Sequence, residues 1–473
     1  LARRKRFCLL ELSLNRRLAP DVYLGLVAVV ETSGGLRLGG RGKAVEWLVK
    51  MRRLPEERML DRLVARSAVS RRDMERIAER LVTFFRRAKR SPLIRRYGES
   101  SQVATLALGN LKECQPFVGT LFAEADRAFL EAAFRQYLAL HEPLLVRRVR
   151  ERRMIDGHGD LRCENICLPV GQAGLTKPVT IFDCVEFEPA FRCGDMANDF
   201  SFLVMDLEFR GRVDLAQALV ARYRKRLRDP TFDVVLPFYK CHRSLVRAKV
   251  RGLAWLQHPR TAAGRAVRKL SRRHFQLALR YARRFAPPRL IVVGGLIGTG
   301  KSTLAKSLAE SLGAIWLRTD EIRLTEFAHL KQPREGFAEG LYAPRVSALV
   351  YQRLIERSAA LVRHGRSVVC DGMFSKAVGR EALRAVARRH GASFHFFECV
   401  VPRGVALRRV ARRYARKADL SEAQPEHYDR LRAGFEPVRG WPERDWSWLS
   451  DHRAPVATYQ AALVALRRAW SLP

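Results

Sequence analysis

Two sets of residues in this chain have the types and spacing that phosphoryl chemistry needs. The first is Gly295-Leu296-Ile297-Gly298-Thr299-Gly300-Lys301-Ser302, spaced G-x-x-x-x-G-K-S and followed by Thr303. A loop of this kind turns successive backbone N–H groups toward one point, and a following helix adds the partial positive charge of its N-terminus. Gly295, Gly298, Thr299, Gly300, Lys301, Ser302 and Thr303 are therefore expected to cradle the phosphates of ATP. Lys301 would reach the outer phosphates, and the Ser302 hydroxyl would ligate Mg²⁺. The plain alternative is an ordinary strand-to-helix turn. Leu290–Val293 and Ser302–Leu312 read as the strand and the helix that the motif demands.

The second set is Gly157-His158-Gly159-Asp160-Leu161-Arg162-Cys163-Glu164-Asn165-Ile166. Asp160 and Asn165 have the spacing of an H-x-D-x-x-x-x-N catalytic loop. In such loops the Asp orients the acceptor hydroxyl and the Asn holds a metal ion. A strand at Val179–Phe182 then delivers Asp183. Oxygen ligands from Asp160, Asn165 and Asp183 would surround one metal-phosphate site.

Further carboxylates follow predicted strands in the C-terminal part. Asp320 follows strand 314–318, and Asp371 follows strand 367–370. Each can hold Mg²⁺ or orient an attacking hydroxyl, and each can instead cap a helix. Arg408, Arg409, Arg412 and Arg413 fall on one predicted helix. They can neutralise a transferring phosphoryl group or form a solvated helix face.

The elements that must carry these residues form two regions. Pro287 and Pro288 end a helical stretch and open the first C-terminal strand, so the domain boundary is placed there: 1–285 and 289–473. Ahead of it, Phe7–Arg17 reads as a helix. Tyr23–Glu31 and Val45–Met51 read as strands joined by a glycine-rich loop. Residues 56–150 and 195–285 are mostly helical, with strand and loop over 155–187. Beyond it, strands 290–294, 314–318, 367–370 and 393–400 alternate with helices 301–312, 344–363, 376–390 and 403–417. That order predicts a doubly wound parallel sheet with its ligand site at the strand C-termini.

Composition narrows the class. A length of 473 residues suggests two to four domains, and 47% hydrophobic content is ample for packed cores. No apolar run approaches the ~20 residues of a bilayer span. The basic start is not a signal peptide. The nine cysteines contain no C-x-x-C pair, so reduced thiols in the cytoplasm are expected. The net charge of +40 invites a nucleic-acid reading. Arg supplies 73 of the 88 basic residues, a bias that high-GC coding alone can produce. Residues 289–473 carry 31 basic and 18 acidic residues, net +13, leaving +27 for the other 288. Charge spread so evenly argues for solvated faces over a binding surface.

The C-terminal motifs resemble those of small P-loop kinases, which include gluconate- and shikimate-type kinases, zeta toxins and polynucleotide 5′-kinases. That resemblance implies Asp320 as base for a substrate hydroxyl, Arg323 as a substrate contact, and Arg408 and Arg412 as lid arginines. The N-terminal motifs, continuing through Glu186-Phe187, Arg192, Asp195, Asp199 and Met205-Asp206-Leu207, resemble the aminoglycoside phosphotransferase and choline kinase group. It implies that Asp160 is catalytic, that Asn165 and Asp183 bind metal, and that Asp195 and Asp199 are structural. The order of the two is similar to a bacterial family described as bifunctional aminoglycoside phosphotransferase/ATP-binding proteins. The phrases Glu11–Pro20 and Val49–Pro55 add to that resemblance.

The implied fold class is α/β and α+β: an N-terminal protein-kinase-like domain with an incomplete N-lobe, then a P-loop NTPase. The chain opens at what reads as the helix carrying Glu11, without the preceding strands or the lysine that would pair with that residue. A misassigned start, a fragment and a shortened lobe each account for this. The N-terminal domain as written is expected to transfer phosphate weakly or not at all. The leading expectation is an ATP- and Mg²⁺-dependent phosphotransferase acting on a small-molecule hydroxyl, with no membrane partner. The alternatives are a nucleic-acid 5′-hydroxyl kinase and a non-catalytic, nucleotide-gated binding module.

Overall fold

The computed structural model describes residues 1–169, 178–330, 339–416, 424–450 and 454–472. Its contacts form two units: Leu1–Glu124 with Leu144–Ala282, and Ala125–Pro143 with Arg283–Pro473. The helix Glu124–Arg150 contributes to both. No helix among the described residues is long and apolar enough to cross a membrane.

The first unit opens with helix Ala2–Asn15. It is followed by three antiparallel strands, β1 (Tyr23–Thr32), β2 (Gly35–Leu38) and β3 (Lys43–Met51), in the order β2-β1-β3. The sequence reading made residues 35–38 part of a loop. They form a strand because Thr32 pairs with Gly35 across a two-residue turn, and Gly35 takes a left-handed φ of +104°. A four-residue strand between two glycine pairs is too short to show alternation.

Two small antiparallel ladders frame the Asp160 loop. β4 (Met154–Asp156) pairs with β7 (Cys193–Asp195), and β5 (Ile166–Cys167) pairs with β6 (Thr180–Ile181). Behind them, helices Met196–Phe209, Val213–Leu227, Phe232–Gln257 and Ala262–Phe285 form the helical body. Arg148 is fully buried there. It donates to both oxygens of Asp195 at 2.6 and 2.8 Å, to Asp229 at 2.9 Å and to Thr231 at 2.6 Å. A buried pair this well satisfied is tolerated; removing one partner costs about 3–5 kcal/mol.

The second unit is a five-stranded sheet. β8 (Arg289–Gly295), β9 (Ile315–Arg318), β10 (Val368–Asp371), β11 (Ser393–Val400) and β12 (Trp446–Ser450) lie in the order β12-β11-β8-β10-β9, all neighbours parallel. Every residue of β8 is buried, as the central strand of a sheet covered on both faces requires. Ile291 and Val293 face one core, with Leu304 and Leu308 of helix Lys301–Leu312 and Leu463 of helix Pro455–Ala469. Leu290 and Val292 face the other, with Leu354 of helix Pro344–Arg363 and Leu383 of helix Ala377–Arg389. Each such side chain contributes about 1.5–3 kcal/mol on burial. The sequence reading did not mark β12, helix Pro455–Ala469 or helix Thr319–Glu326. Residue 417, the end of the helix expected over 403–417, lies outside the described residues.

Candidate active site

The phosphate loop leaves β8 at Gly295, whose φ is +139°; Gly298 and Gly300 take +75° and +85°. A Cβ on Gly295 would lie 2.4 Å from the Cys399 carbonyl oxygen, and one on Gly298 would lie 2.4 Å from that of Ala406. Glycine is required at both for space and for dihedral. Thr299 closes the loop, its Oγ1 donating to the Leu296 carbonyl at 2.7 Å. Lys301 Nζ donates to the same carbonyl at 3.3 Å. Helix Lys301–Leu312 is capped by Gly300, with no side chain accepting from its first turn. Those N–H groups point at the loop and suit an anion. Thr303 sits exposed in that turn.

Asp371 ends β10, the strand beside β8. Its Oδ1 accepts from the Ser302 hydroxyl at 3.2 Å, and its Oδ2 lies 3.6 Å from Arg318 Nε. Burial pushes its pKa up, while Lys301, Ser302 and Arg318 oppose that rise. A buried carboxylate and a hydroxyl side by side are hard oxygen donors, the set that fits Mg²⁺. Asp320 is the second residue of helix Thr319–Glu326, directly after β9. Neither acid caps a helix: the cap of Thr319–Glu326 is Arg318, and the helix after Asp371 begins at Ala377. The parallel sheet brings both to the end of β8 because β9 and β10 run in its direction.

Lys301, Asp320 and Asp371 line one cavity of about 710 Å³. Its far wall is apolar and aromatic, with Tyr342, Tyr351, Ile355 and Phe374. Arg323 also lines it, but its Nη1 is held by the Leu341 carbonyl and lies 3.4 Å from Ser347 Oγ. Its guanidinium sits 4.6 Å from the Tyr342 ring. Arg323 is thus held in the wall by neutral partners, which leave its charge unneutralised among the described residues.

Tyr351 and Phe374 did not stand out in the sequence. The Phe374 N–H donates to the Tyr351 hydroxyl at 2.9 Å, and Phe374 takes a left-handed φ of +49°. A bulky residue in that conformation is strained and is kept by its surroundings. Burial pushes the Tyr351 hydroxyl up to about 12, so it stays protonated. The only sequence cue was the run Asp371-Gly372-Met373-Phe374 at a strand end.

Helix Arg403–Arg416 packs on the phosphate loop through Ala406 and Val410, which cluster with Ile297. Arg408 and Arg412 lie on its exposed side, away from that contact, and neither lines the cavity. Arg409 and Arg413 are half-buried, beside Ala406 and Val410 on the helix. Both pairs share a face at four-residue spacing, and only packing distinguishes them.

The Asp160 loop is tightly bound. Arg162 donates Nε and Nη2 to the two Asp160 oxygens, each at 2.7 Å. Asn165 Nδ2 donates to the Asp160 carbonyl and to Oδ2, each at 3.0 Å. Asp183 has φ +65°, and its N–H donates to the Tyr23 hydroxyl at 3.3 Å. Burial and the nearby Asp160 charge hold the Asp183 pKa up. Asp199 accepts from the His158 and Gly159 N–H groups at 2.7 and 2.8 Å, and Arg243 donates to the Gly159 carbonyl at 3.1 Å.

Residues 290–438 match the family model of the AAA domain. Among solved structures, the chain is similar to a sugar kinase from Janibacter sp. HTCC2649, at 20% identity and TM-score 0.31, over 39% of this chain and 98% of that one. It is also similar to the Mycobacterium tuberculosis APS kinase CysC in complex with AMPPNP and APS, at 21% identity and TM-score 0.30, over 38% and 98%. Uncharacterized protein Rv2004c of Mycobacterium tuberculosis (strain H37Rv) is 33% identical over 424 residues, 88% of this chain and 80% of that protein. Uncharacterized protein Mb2027c of Mycobacterium bovis matches to the same extent. By that identity and coverage, this chain, with its P-loop unit of the AAA-domain type, belongs to the family of Rv2004c and Mb2027c.

Proposed function

We propose that the second unit is an ATP-dependent phosphotransferase that moves the γ-phosphate to a hydroxyl of a small molecule. One observation carries this reading: Lys301, Asp320 and Asp371 share a cavity whose phosphate end is a helix N-terminus without a side-chain cap. The loop N–H groups and Lys301 bind and neutralise the phosphates. Ser302 and Asp371 hold Mg²⁺, which supplies further positive charge at the phosphates. Asp320 orients the acceptor hydroxyl and takes its proton. The apolar wall of Tyr351, Ile355 and Phe374 excludes water from the phosphoryl group. Arg408 and Arg412 serve as lid arginines only if their helix turns; Arg409 and Arg413 are nearer the loop-packed face. In the first unit, Asp160 with Asn165 and Asp183 would form a second, weaker site of the aminoglycoside phosphotransferase kind.

The test is transfer of labelled γ-phosphate from Mg-ATP to a pool of sugars, aminoglycosides and 5′-hydroxyl oligonucleotides. Transfer to a sugar or aminoglycoside that disappears in Lys301→Ala and persists in Asp160→Ala supports the proposal, and transfer to the oligonucleotides alone would favour a nucleic-acid 5′-hydroxyl kinase. ATP binding without transfer to any acceptor would favour the nucleotide-gated module. Unchanged turnover in Lys301→Ala would overturn the proposal.

A further inference from the structure

One helix of the first unit carries a long run of cations with no acid among them. Ala262–Phe285 contains eight Arg and Lys residues and no Asp or Glu. Its inward face buries Phe275, Ala278 and Leu279, and Ser271 Oγ donates to the Ala248 carbonyl at 2.8 Å. Its outward face carries Arg265, Arg268, Lys269, Arg272, Arg273 and Arg280. With Gln276 and Phe209 these line a groove of about 520 Å³ that contains no acid.

Among the described residues, none of these six cations is ion-paired. Arg265, Arg268 and Arg273 donate only to carbonyls, those of Arg260, Thr120 and Phe209, at 3.0, 3.1 and 3.4 Å. Some arginines of the same unit meet acids, as Arg226 does in donating to Glu79 at 3.0 Å, while others, such as Arg90, also donate to carbonyls. Like charges at four-residue spacing, such as Arg265 with Lys269 and Arg268 with Arg272, destabilise a bare helix. The positive field also reaches inward. Buried His274 beneath the groove has its pKa pushed down to about 3, first by burial and then by Arg247, Arg251, Arg273 and Arg210.

The groove offers charge but no stacking platform. The Phe209 ring lies flat on His274, centroids 3.6 Å apart at 6°, and the Arg273 guanidinium sits 4.6 Å from its centroid. Arg265 and Arg280 are separated by roughly 22 Å along the axis, at 1.5 Å per residue. Cations spaced along one helix follow one line of phosphates.

We propose that this groove binds the phosphate backbone of a single-stranded nucleic acid without reading its bases. It stands apart from the P-loop proposal and survives that reading's failure.

The experiment uses the full chain and fluorescein-labelled deoxyhomopolymers of roughly 20 nucleotides, longer than a usual single-strand site. Anisotropy is followed against NaCl concentration. Binding should weaken steeply with salt and be alike for dT and dC strands. The triple variant Lys269→Gln, Arg272→Gln, Arg280→Gln changes side chains with no hydrogen-bond or ion-pair partner among the described residues. It should bind roughly tenfold or more weakly, and its salt slope should fall by about 2, near 0.7 per lost phosphate contact. An unchanged thermal melt shows that the variant is folded. Equal binding or an equal slope in the triple variant would overturn the proposal. So would displacement of the strand by duplex DNA or inorganic polyphosphate at equal phosphate concentration.

Discussion

Asp160 and Asp320 both sit where phosphoryl chemistry would use an acceptor-side carboxylate, yet their surroundings differ sharply. Asp160 has both oxygens held by Arg162 and one also by Asn165. Asp320 opens onto a large cavity that also holds Lys301 and Asp371. The motif around Asp160 is as complete in spacing as the phosphate loop. Spacing fixes which groups meet; it does not leave them free. A base must have an oxygen available to the incoming hydroxyl, and the Asp160 oxygens are already committed to a guanidinium in a charge-assisted, two-point contact.

The widest contrast between the two sites is expected from Lys301→Ala against Asp160→Ala. Losing the lysine removes a fixed positive charge from the phosphates and should lower γ-phosphate transfer by about 10²–10³-fold. Asp160→Ala should change the same rate by less than about twofold. A large loss in Asp160→Ala alone, measured under saturating ATP, would reverse the ranking of the sites.

Next in size is Asp320→Asn, which keeps the shape and removes the proposed base. Its kcat should fall by about 10²-fold, with ATP affinity nearly unchanged. A fall in ATP affinity with kcat preserved would move Asp320 from acceptor to nucleotide.

Gly298→Ala sharpens the comparison from the backbone side. The new methyl would meet the Ala406 carbonyl at 2.4 Å in a left-handed conformation. Melting of the nucleotide-free protein should show a loss of about 1–3 kcal/mol, with nucleotide-induced stabilisation largely abolished. A variant that melts and binds ATP as wild type would show that the loop adapts.

The smallest effect belongs to Arg162→Met. Burial raises the Asp160 pKa, but the Arg162 hydrogen bonds and charge outweigh it, so the folded pKa lies below the ordinary 3.8. A depressed carboxylate stabilises the fold above its unfolded pKa and loses that contribution as the pH falls through the folded one. Arg162→Met should therefore cost about 1 kcal/mol near neutral pH. The difference from wild type should shrink below pH ~4. A difference independent of pH between 3 and 7, by denaturant titration, would mean that Arg162 contributes packing alone.

Much of the second unit was legible beforehand because its signals are local. β8 is an unbroken apolar run ended by glycine, and the phosphate loop is one continuous stretch whose spacing is its function. β12 and helix Pro455–Ala469 were missed because a short edge strand and a weakly amphipathic helix have no such punctuation. The side of helix Arg403–Arg416 that faces the phosphate loop also stayed hidden, since Arg408 with Arg412 and Arg409 with Arg413 have the same spacing. In the first unit, β2 was lost between glycines.

The residue order by itself determined that a glycine-rich loop joins strand to helix at Gly295–Ser302 and that acids follow the next two strands of the sheet. It also determined that Asp160, Asn165 and Asp183 belong to one loop-and-strand constellation. Only the tertiary structure decided that Ser302 meets Asp371, that Tyr351 props Phe374, and that Arg162 closes over Asp160. It alone lined up six cations along one groove with no ion pair among the described residues. Those are contacts between distant or freely rotating side chains. Their geometry is set by packing density and by which partner is nearest in space, quantities that no local spacing contains.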